Sequence, residues 1–101
     1  MSGTTVPLSK PIKAHGEEVE VLELREPTAE DAIEVGTPFL IIVGDGENKI
    51  EIRNKVVAKY ISLLAKIPLS SVNQLSLPDL QLAQAAVLGF FGKEDSGAPS
   101  S

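Results

Sequence analysis

His15 is the only imidazole in the 101-residue sequence, and imidazole is the most common general base near neutral pH. It stands next to Gly16, in a segment (residues 14–17) that is typical of a turn. A side chain in such a turn is exposed to water and has the reactivity of an ordinary imidazole. We therefore interpret His15 as a solvated turn residue rather than as a catalytic base.

Three carboxylates surround a second glycine, Gly46, and could in principle bind a metal ion. They are Asp45, Glu47 and Glu51. A calcium loop needs oxygen ligands at alternate positions and a closing bidentate glutamate twelve residues along. Residues 48–50 (Asn-Lys-Ile) interrupt that pattern, and no glutamate closes it. The spacing favours a hairpin turn over a calcium site.

Other signatures of enzyme chemistry are missing from the sequence. Without cysteine there is no thiol nucleophile, disulfide or cysteine zinc site. The sequence also lacks a phosphate-binding glycine loop with lysine, a glycine-flanked serine elbow, a zinc-helix histidine pair and the Asp-Ser-Leu triplet that carries a phosphopantetheine arm. We expect no enzymatic activity, no metal and no cofactor. An enzyme would need a composite site to which another chain contributes.

Charge is unevenly distributed along the chain. The 14 acidic and 9 basic residues give a formal net charge of -5, which argues against binding to a nucleic-acid backbone. Residues 17–34 hold most of the acids and only one base, Arg25, whereas residues 49–66 hold five of the bases. This separation predicts an intramolecular charge match or self-association through complementary patches. The alternative is that the acidic segment and the basic segment are both solvated surfaces without a partner.

The two ends differ in composition from the middle of the chain. The longest apolar run, residues 39–43, is far shorter than the roughly 20 residues of a membrane-spanning helix, and no apolar run follows the polar N-terminus as in a signal peptide. Residues 93–101 are small and polar, which predicts a disordered tail. We expect a flexible N-terminus (1–5), a single domain (6–92) and this tail.

The first half of the domain shows a strand pattern followed by a short helix. Residues 6–13 and 19–24 predict an antiparallel hairpin, in which two prolines of one parity place the first strand at an edge. The apolar parity switches between Val21 and Leu22, which indicates a β-bulge or burial on both faces. Thr28 and Asp31 form a capping-box pattern that begins a helix ending near Gly36.

The second half is mainly helical. Residues 39–43 predict a short buried strand, and Ile50 and Ile52 could continue as its partner. Asn54 is placed to cap a helix whose apolar positions recur up to residue 67. A single turn over residues 70–74 follows, and a last helix, with Ser76 at its N-cap, runs to about residue 91. The predicted fold is α+β, a small single domain with an N-terminal antiparallel β-hairpin, a short helix, a short β segment and two C-terminal helices.

The last helix is apolar on nearly all sides. One row contains Leu80, Ala83, Val87 and Phe91, and a second row, facing elsewhere, contains Leu82, Ala86 and Phe90. A helix of this kind must be covered on nearly all sides. So short a chain has few other residues that could cover the apolar surface of this helix. We therefore predict that a partner covers part of it.

The order of these features resembles a known family. The N-terminal half contributes Leu8-Ser9-Lys10-Pro11-Ile12, Gly16, the run from Val21 to Pro27 and Asp31, and the C-terminal half contributes Tyr60-Ile61, Leu64, Ile67-Pro68, Leu75-Ser76, Asp79 and Phe90-Phe91. Over about residues 6–92 the sequence is similar to the phage tail protein E family, small tail assembly chaperones of contractile-tailed phages and prophages.

The resemblance implies a non-enzymatic function in the host bacterial cytoplasm. Such proteins coat the tape measure protein before the tail tube polymerises around it, and they are not expected in the mature particle. We predict Leu82, Ala86, Phe90 and Phe91 as the contact residues, with core packing as the alternative for Phe91. The alternative function is a minor tail or connector subunit, or a small adaptor, that stays in the particle.

The family also implies a second, longer product made by ribosomal frameshifting, which would be a further partner. Two phenylalanine codons followed by a glycine codon can form a slippery run of T followed by G. We therefore predict the frameshift at the codons of Phe90, Phe91 and Gly92.

Overall fold

The first quarter of the chain is a long antiparallel hairpin. The computed structural model describes residues 3–97, of which Gly3–Ala14 form β1 and Glu17–Arg25 form β2. His15 and Gly16 make the turn, both at positive φ, as the sequence predicted. β1 also includes residues 3–5, which belong to the segment predicted as a flexible N-terminus. Their pairing with residues 23–25 extends the hairpin.

A β-bulge interrupts β1, and it accounts for the parity switch in β2. Pro7 pairs with Val21, but the next pair is Ile12 with Val19. Residues 8–11 of β1 are therefore opposed by a single residue of β2, Glu20. Since the register shifts there, the buried residues of β2 change parity, and the bulge alternative is confirmed.

The short helix α1, Ala29–Val35, begins and ends as predicted. The Thr28 hydroxyl accepts the backbone N–H of Asp31, and the Asp31 carboxylate accepts the backbone N–H of Thr28, which completes the capping box. Gly36 follows the helix with φ 98°, a conformation that favours glycine.

A second antiparallel hairpin connects α1 to the helical half. β3 (Phe39–Gly44) pairs with β4 (Glu47–Ile52) around a turn at Asp45 and Gly46, which confirms both the strand and its partner. The prediction that the first strand is buried is wrong, because residues 40–44 are all exposed. Only the base of the hairpin, at Phe39 and Ile52, is partly covered.

Three helices complete the fold: α2 (Asn54–Ala65), α3 (Leu69–Val72) and α4 (Leu77–Gly97). Arg53 rather than Asn54 occupies the N-cap of α2, and no side chain caps that end. α4 continues past residue 91 to Gly97, into the segment predicted as a disordered tail, and residues 98–101 lie outside the described residues. No helix within residues 3–97 is long and apolar enough to cross a membrane.

The core lies between the first hairpin and the helices. β2 packs on α2, and β1 packs on α3 and α4. The buried apolar side chains are Val6, Ile12 and Ala14 of β1, Leu22 and Leu24 of β2, Val56, Val57, Tyr60, Ile61 and Leu64 of α2, Ile67, Val72 of α3, and Ala83, Val87 and Phe90 of α4. This two-layer arrangement confirms the predicted α+β fold, with the second hairpin outside the core.

Candidate functional site

The bulge of β1 holds a buried carboxylate from the first turn of α4. Both carboxylate oxygens of Asp79 accept the backbone N–H of Ser9 at 3.0 Å, and one of them accepts the backbone N–H of Lys10 at 3.1 Å. The Ser9 hydroxyl adds a further hydrogen bond of 3.0 Å. We call this arrangement the Asp79 clamp. It uses backbone groups that the bulge frees from strand pairing, and it attaches β1 to α4.

These hydrogen bonds set the charge state of the clamp. The Ser9 N–H, helped by the Lys10 N–H and the Ser9 hydroxyl, lowers the pKa of Asp79, although burial of the side chain opposes this. The carboxylate is therefore ionised at neutral pH. Its role is to fix β1 against α4, which is a structural role rather than a catalytic one.

A second charged contact fixes α1. Arg25 at the end of β2 donates to Asp31 at 2.8 Å. The Arg25 guanidinium and then the Thr28 backbone N–H lower the pKa of Asp31 to about 2. The Tyr60 hydroxyl of α2 donates to the carbonyl oxygen of Gly36 at 2.6 Å. The charged motif residues Arg25, Asp31 and Asp79 thus hold the elements together instead of pointing at a substrate.

The four predicted contact residues differ in accessibility. Leu82 is 53% exposed, whereas Phe90 is only 6% exposed and belongs to the core. Ala86 and Phe91 are half-buried. Phe90 and Phe91 line one wall of a cleft of about 230 Å³, and residues of the 26–32 segment line the other. The predicted division into two rows therefore fails at Phe90, which faces the core together with Ala83 and Val87.

Phe91 links α4 to the base of the second hairpin. Its ring packs edge to face on Tyr60, with centroids 5.3 Å apart, and on Phe39, with centroids 6.4 Å apart. Phe91 thus packs against the core, which is the alternative stated for this residue, and its ring also lines the cleft.

An exposed stripe of small and apolar residues runs along α4, and we call it the α4 stripe. Its members recur at helical spacing and are Pro78, Leu82, Ala85, Gly89 and Gly92. A methyl group added at Gly89 or Gly92 would meet no atom within 4 Å other than those of its chain neighbours and of the adjacent helix backbone. Among residues 3–92, no side-chain contact requires glycine at these positions, although each glycine costs the helix roughly 1 kcal/mol relative to alanine.

The second hairpin carries an apolar surface that we did not predict. Residues directly opposite each other in an antiparallel pair share a face, so the pairing places Ile41 with Ile50 and Val43 with Asn48 on one side. The exposed fractions of Ile41, Val43 and Ile50 are 61%, 76% and 67%. We call this side the apolar face of the hairpin. The charged residues of β4, Glu47, Lys49 and Glu51, lie on the other face.

A signal for this exposure exists in the sequence. Since Glu47, Lys49 and Glu51 alternate with the apolar residues of β4, that strand cannot belong to a sheet that is buried on both faces. A two-stranded hairpin whose one strand carries three charges must have at least one face in water.

The residues weighed for catalysis do not form a site. The ring Nε2 of exposed His15 lies 3.2 Å from the carbonyl oxygen of Lys66, which closes the end of α2. Asp45 and Gly46 form the turn of the second hairpin. Across the described part of the chain, no three His, Asp or Glu side chains come together as metal ligands do.

A comparison with models of protein families gives a match. The model of a family described as phage tail assembly chaperone proteins, E, or 41 or 14, matches residues 5–92. The search of curated proteins and the search of solved structures found no match.

Proposed function

Because the chain belongs to the family of phage tail assembly chaperone proteins, matched over residues 5–92, we propose that it binds the tape measure protein before the tail tube polymerises around it. The family implies an interaction with tail proteins and a non-enzymatic role. The family match carries this proposal, and the exposed apolar surfaces give it a physical basis. We further propose that the protein acts in the host bacterial cytoplasm and leaves before the particle is complete.

The α4 stripe supports a helical client. A tape measure protein is a long helical chain with apolar segments, and helices approach each other most closely where small residues meet. Gly89 and Gly92 leave space for such an approach without serving the internal packing of this chain. Leu82 offers the large apolar side chain, and Ala86 flanks it. We propose this stripe as the client-binding surface, and the cleft lined by Phe90 and Phe91, on another side of α4, as a second contact.

Charge supports the solubility of the coated client. The segment formed by β2 and α1 is strongly acidic and is balanced only by Arg25. Many copies bound along one client would surround it with negative charge, which opposes aggregation.

The client-binding surface can be tested by co-purification with the tape measure protein. Leu82→Asp places a charge on the α4 stripe, and Asn54→Asp places the same charge on an exposed residue of α2. We expect Leu82→Asp to reduce capture of the client at least tenfold and Asn54→Asp to leave it unchanged. Equal capture by both variants would contradict the assignment of the stripe, and no capture by the unmodified protein would contradict client binding itself.

Departure of the chain before the particle is complete can be tested on purified particles. We expect mass spectrometry to find the tape measure protein but not this chain in mature tails. A stoichiometric amount of the chain in the particle would instead support the alternative of a connector or minor tail subunit.

We also propose the longer frameshifted product. The buried core residues that the structure describes and the Asp79 clamp precede Gly92, so a frameshift at the codons of Phe90 and Phe91 would leave both products with these residues in common. The nucleotide sequence tests this site directly, since a TTC codon for Phe90 would break the slippery run.

A further inference from the structure

The two edges of the second hairpin differ in charge. β3 (Phe39–Gly44) contains no charged residue, whereas β4 carries Glu47, Lys49 and Glu51. Within residues 3–97, β3 and β4 form a sheet of their own with no third strand. Proteins protect exposed strand edges with charged side chains, because an unprotected edge pairs with other strands. The edge of β4 has this protection, and the edge of β3 lacks it.

The pairing pattern identifies which backbone groups are free. The Arg53 N–H donates to the carbonyl oxygen of Pro38 at 2.8 Å, so this pair is hydrogen-bonded. Hydrogen-bonded and non-bonded pairs alternate in an antiparallel ladder. The non-bonded pairs on β3 are therefore Phe39–Ile52, Ile41–Ile50 and Val43–Asn48. The N–H and C=O groups of Ile41 and Val43 point away from β4, along an edge without charge.

This hairpin also lacks cover. A two-stranded hairpin is marginally stable in water and gains stability from further strands or from packing against another element. Here the side chains of Ile41, Val43 and Ile50 are all more than half exposed. Additional strands at the β3 edge would complete the ladder and widen the apolar face.

We propose that two copies of the chain pair β3 to β3, antiparallel, across a two-fold axis. The result is a four-stranded sheet in the order β4–β3–β3–β4, with the apolar faces of both hairpins continuous on one side. The charged β4 strands become the outer edges, so growth stops at the dimer. This pairing does not depend on client binding.

The β3 edge is where a second copy meets the least electrostatic repulsion. Each chain carries a net charge of -5, so two copies repel each other over most of their surfaces. β3 is a charge-free segment and can approach its counterpart without bringing like charges into direct contact. Pairing two strands of six residues buries on the order of 600 Å², about half of the smallest standard stable interface. The dimer therefore forms at high concentration and dissociates on dilution.

The sequence offers a matched pair of variants for the test. Ile41 and Ile50 are cross-strand neighbours on the same face, 61% and 67% exposed, and neither N–H takes part in the β3–β4 ladder. Ile41→Pro removes a donor from the β3 edge, and Ile50→Pro removes the equivalent donor from the β4 edge. Both keep the internal hydrogen bonds of the hairpin.

Sedimentation velocity over a series from about 10 μM to about 1 mM measures the association. We expect the unmodified chain and Ile50→Pro to show a reversible monomer–dimer equilibrium, and Ile41→Pro to dimerise at least tenfold more weakly, with unchanged far-ultraviolet circular dichroism. If Ile41→Pro misfolds, Val43→Lys, which adds a charge to the same edge, gives the same expected result. A monomeric unmodified chain, or equal effects of both proline variants, would overturn the proposal. If the chain is monomeric at all concentrations and Ile41→Pro loses capture of the tape measure protein, the β3 edge binds a strand of the client rather than a second copy. That result would also overturn the proposal.

Discussion

Asp79 shows how one residue connects the two ends of the domain. Its carboxylate is buried and accepts hydrogen bonds from two backbone N–H groups and one hydroxyl of the β1 bulge. The Ser76 hydroxyl caps the Asp79 N–H only loosely, at 3.4 Å. The aspartate therefore acts across the fold, from α4 to β1, rather than within a capping box of its own helix.

We predict that Asp79→Asn destabilises the domain. The one acceptor oxygen of the amide can still accept from both N–H groups, but its NH₂ group then faces the Ser9 N–H, donor against donor, and the negative charge that strengthens these hydrogen bonds is lost. The expected fall in melting temperature is roughly 10 °C. Asp45→Asn, the same change at an exposed turn residue, is the control and should leave the melting temperature unchanged. Equal melting temperatures for Asp79→Asn and the unmodified chain would contradict the clamp.

A second prediction at this scale concerns pH. The pKa of Asp31 falls from 3.8 to about 2 in the folded chain because of Arg25 and Thr28. A carboxylate whose pKa is lower in the folded state than in the unfolded state stabilises the fold above the unfolded value and loses this contribution as the pH falls toward the folded one. The free energy of unfolding should therefore decrease between about pH 4 and about pH 2.

Urea unfolding at several pH values measures this dependence. Asp31→Asn should be less stable at neutral pH and should lose less stability over the same acidic range. The remaining slope should include the contribution of Asp79, whose pKa is also lowered. A variant with the slope of the unmodified chain would show that Asp31 does not contribute.

At the scale of elements, α4 combines a buried face with the exposed stripe. We predict that Gly89→Ala stabilises the isolated chain by about 0.5 to 1 kcal/mol, since alanine is the better helix former and its methyl group meets no atom within 4 Å. If a client helix packs against the stripe, the same variant should capture the client less well.

Gly16→Ala is the matched comparison. A methyl group at Gly16 also meets no neighbour, but Gly16 has φ +77°, a conformation that costs alanine energy. Chemical denaturation should therefore show opposite effects at two glycines that are equally open. Destabilisation by Gly89→Ala would indicate an internal role for that glycine.

The elements show where sequence reasoning succeeds. The capping box of Thr28 and Asp31, the turn at Gly16 and the apolar spacing of α2 were predictable, since each depends on residues close in sequence. The placement of Phe90 was not predictable from helical spacing, because α4 is apolar in most directions and the positions of β1 and α2 decide which side is buried. The apolar run of β3 was likewise expected to lie in the core, but the core forms between the first hairpin and the helices.

At the scale of the whole molecule, the described chain divides into a packed body and a projecting hairpin. We predict that backbone amides of β3 and β4 exchange with solvent much faster than those of β2 and α2 in dilute protein, because local opening of the hairpin disturbs only the partly buried residues at its base, Phe39 and Ile52. Hydrogen exchange followed by mass spectrometry measures this difference. Equal protection of the two hairpins in the monomer would contradict this division.

The Asp79 clamp also has a consequence for the order of folding. It joins residues that are 70 positions apart in the chain, and contacts between such distant residues form late. The amides of the bulge have no partner until the first turn of α4 has been synthesised, so the N-terminal sheet cannot reach its final form while the ribosome is still translating the middle of the gene. Completion of the fold is therefore postponed until most of the polypeptide exists, even though its first hairpin is made at the start.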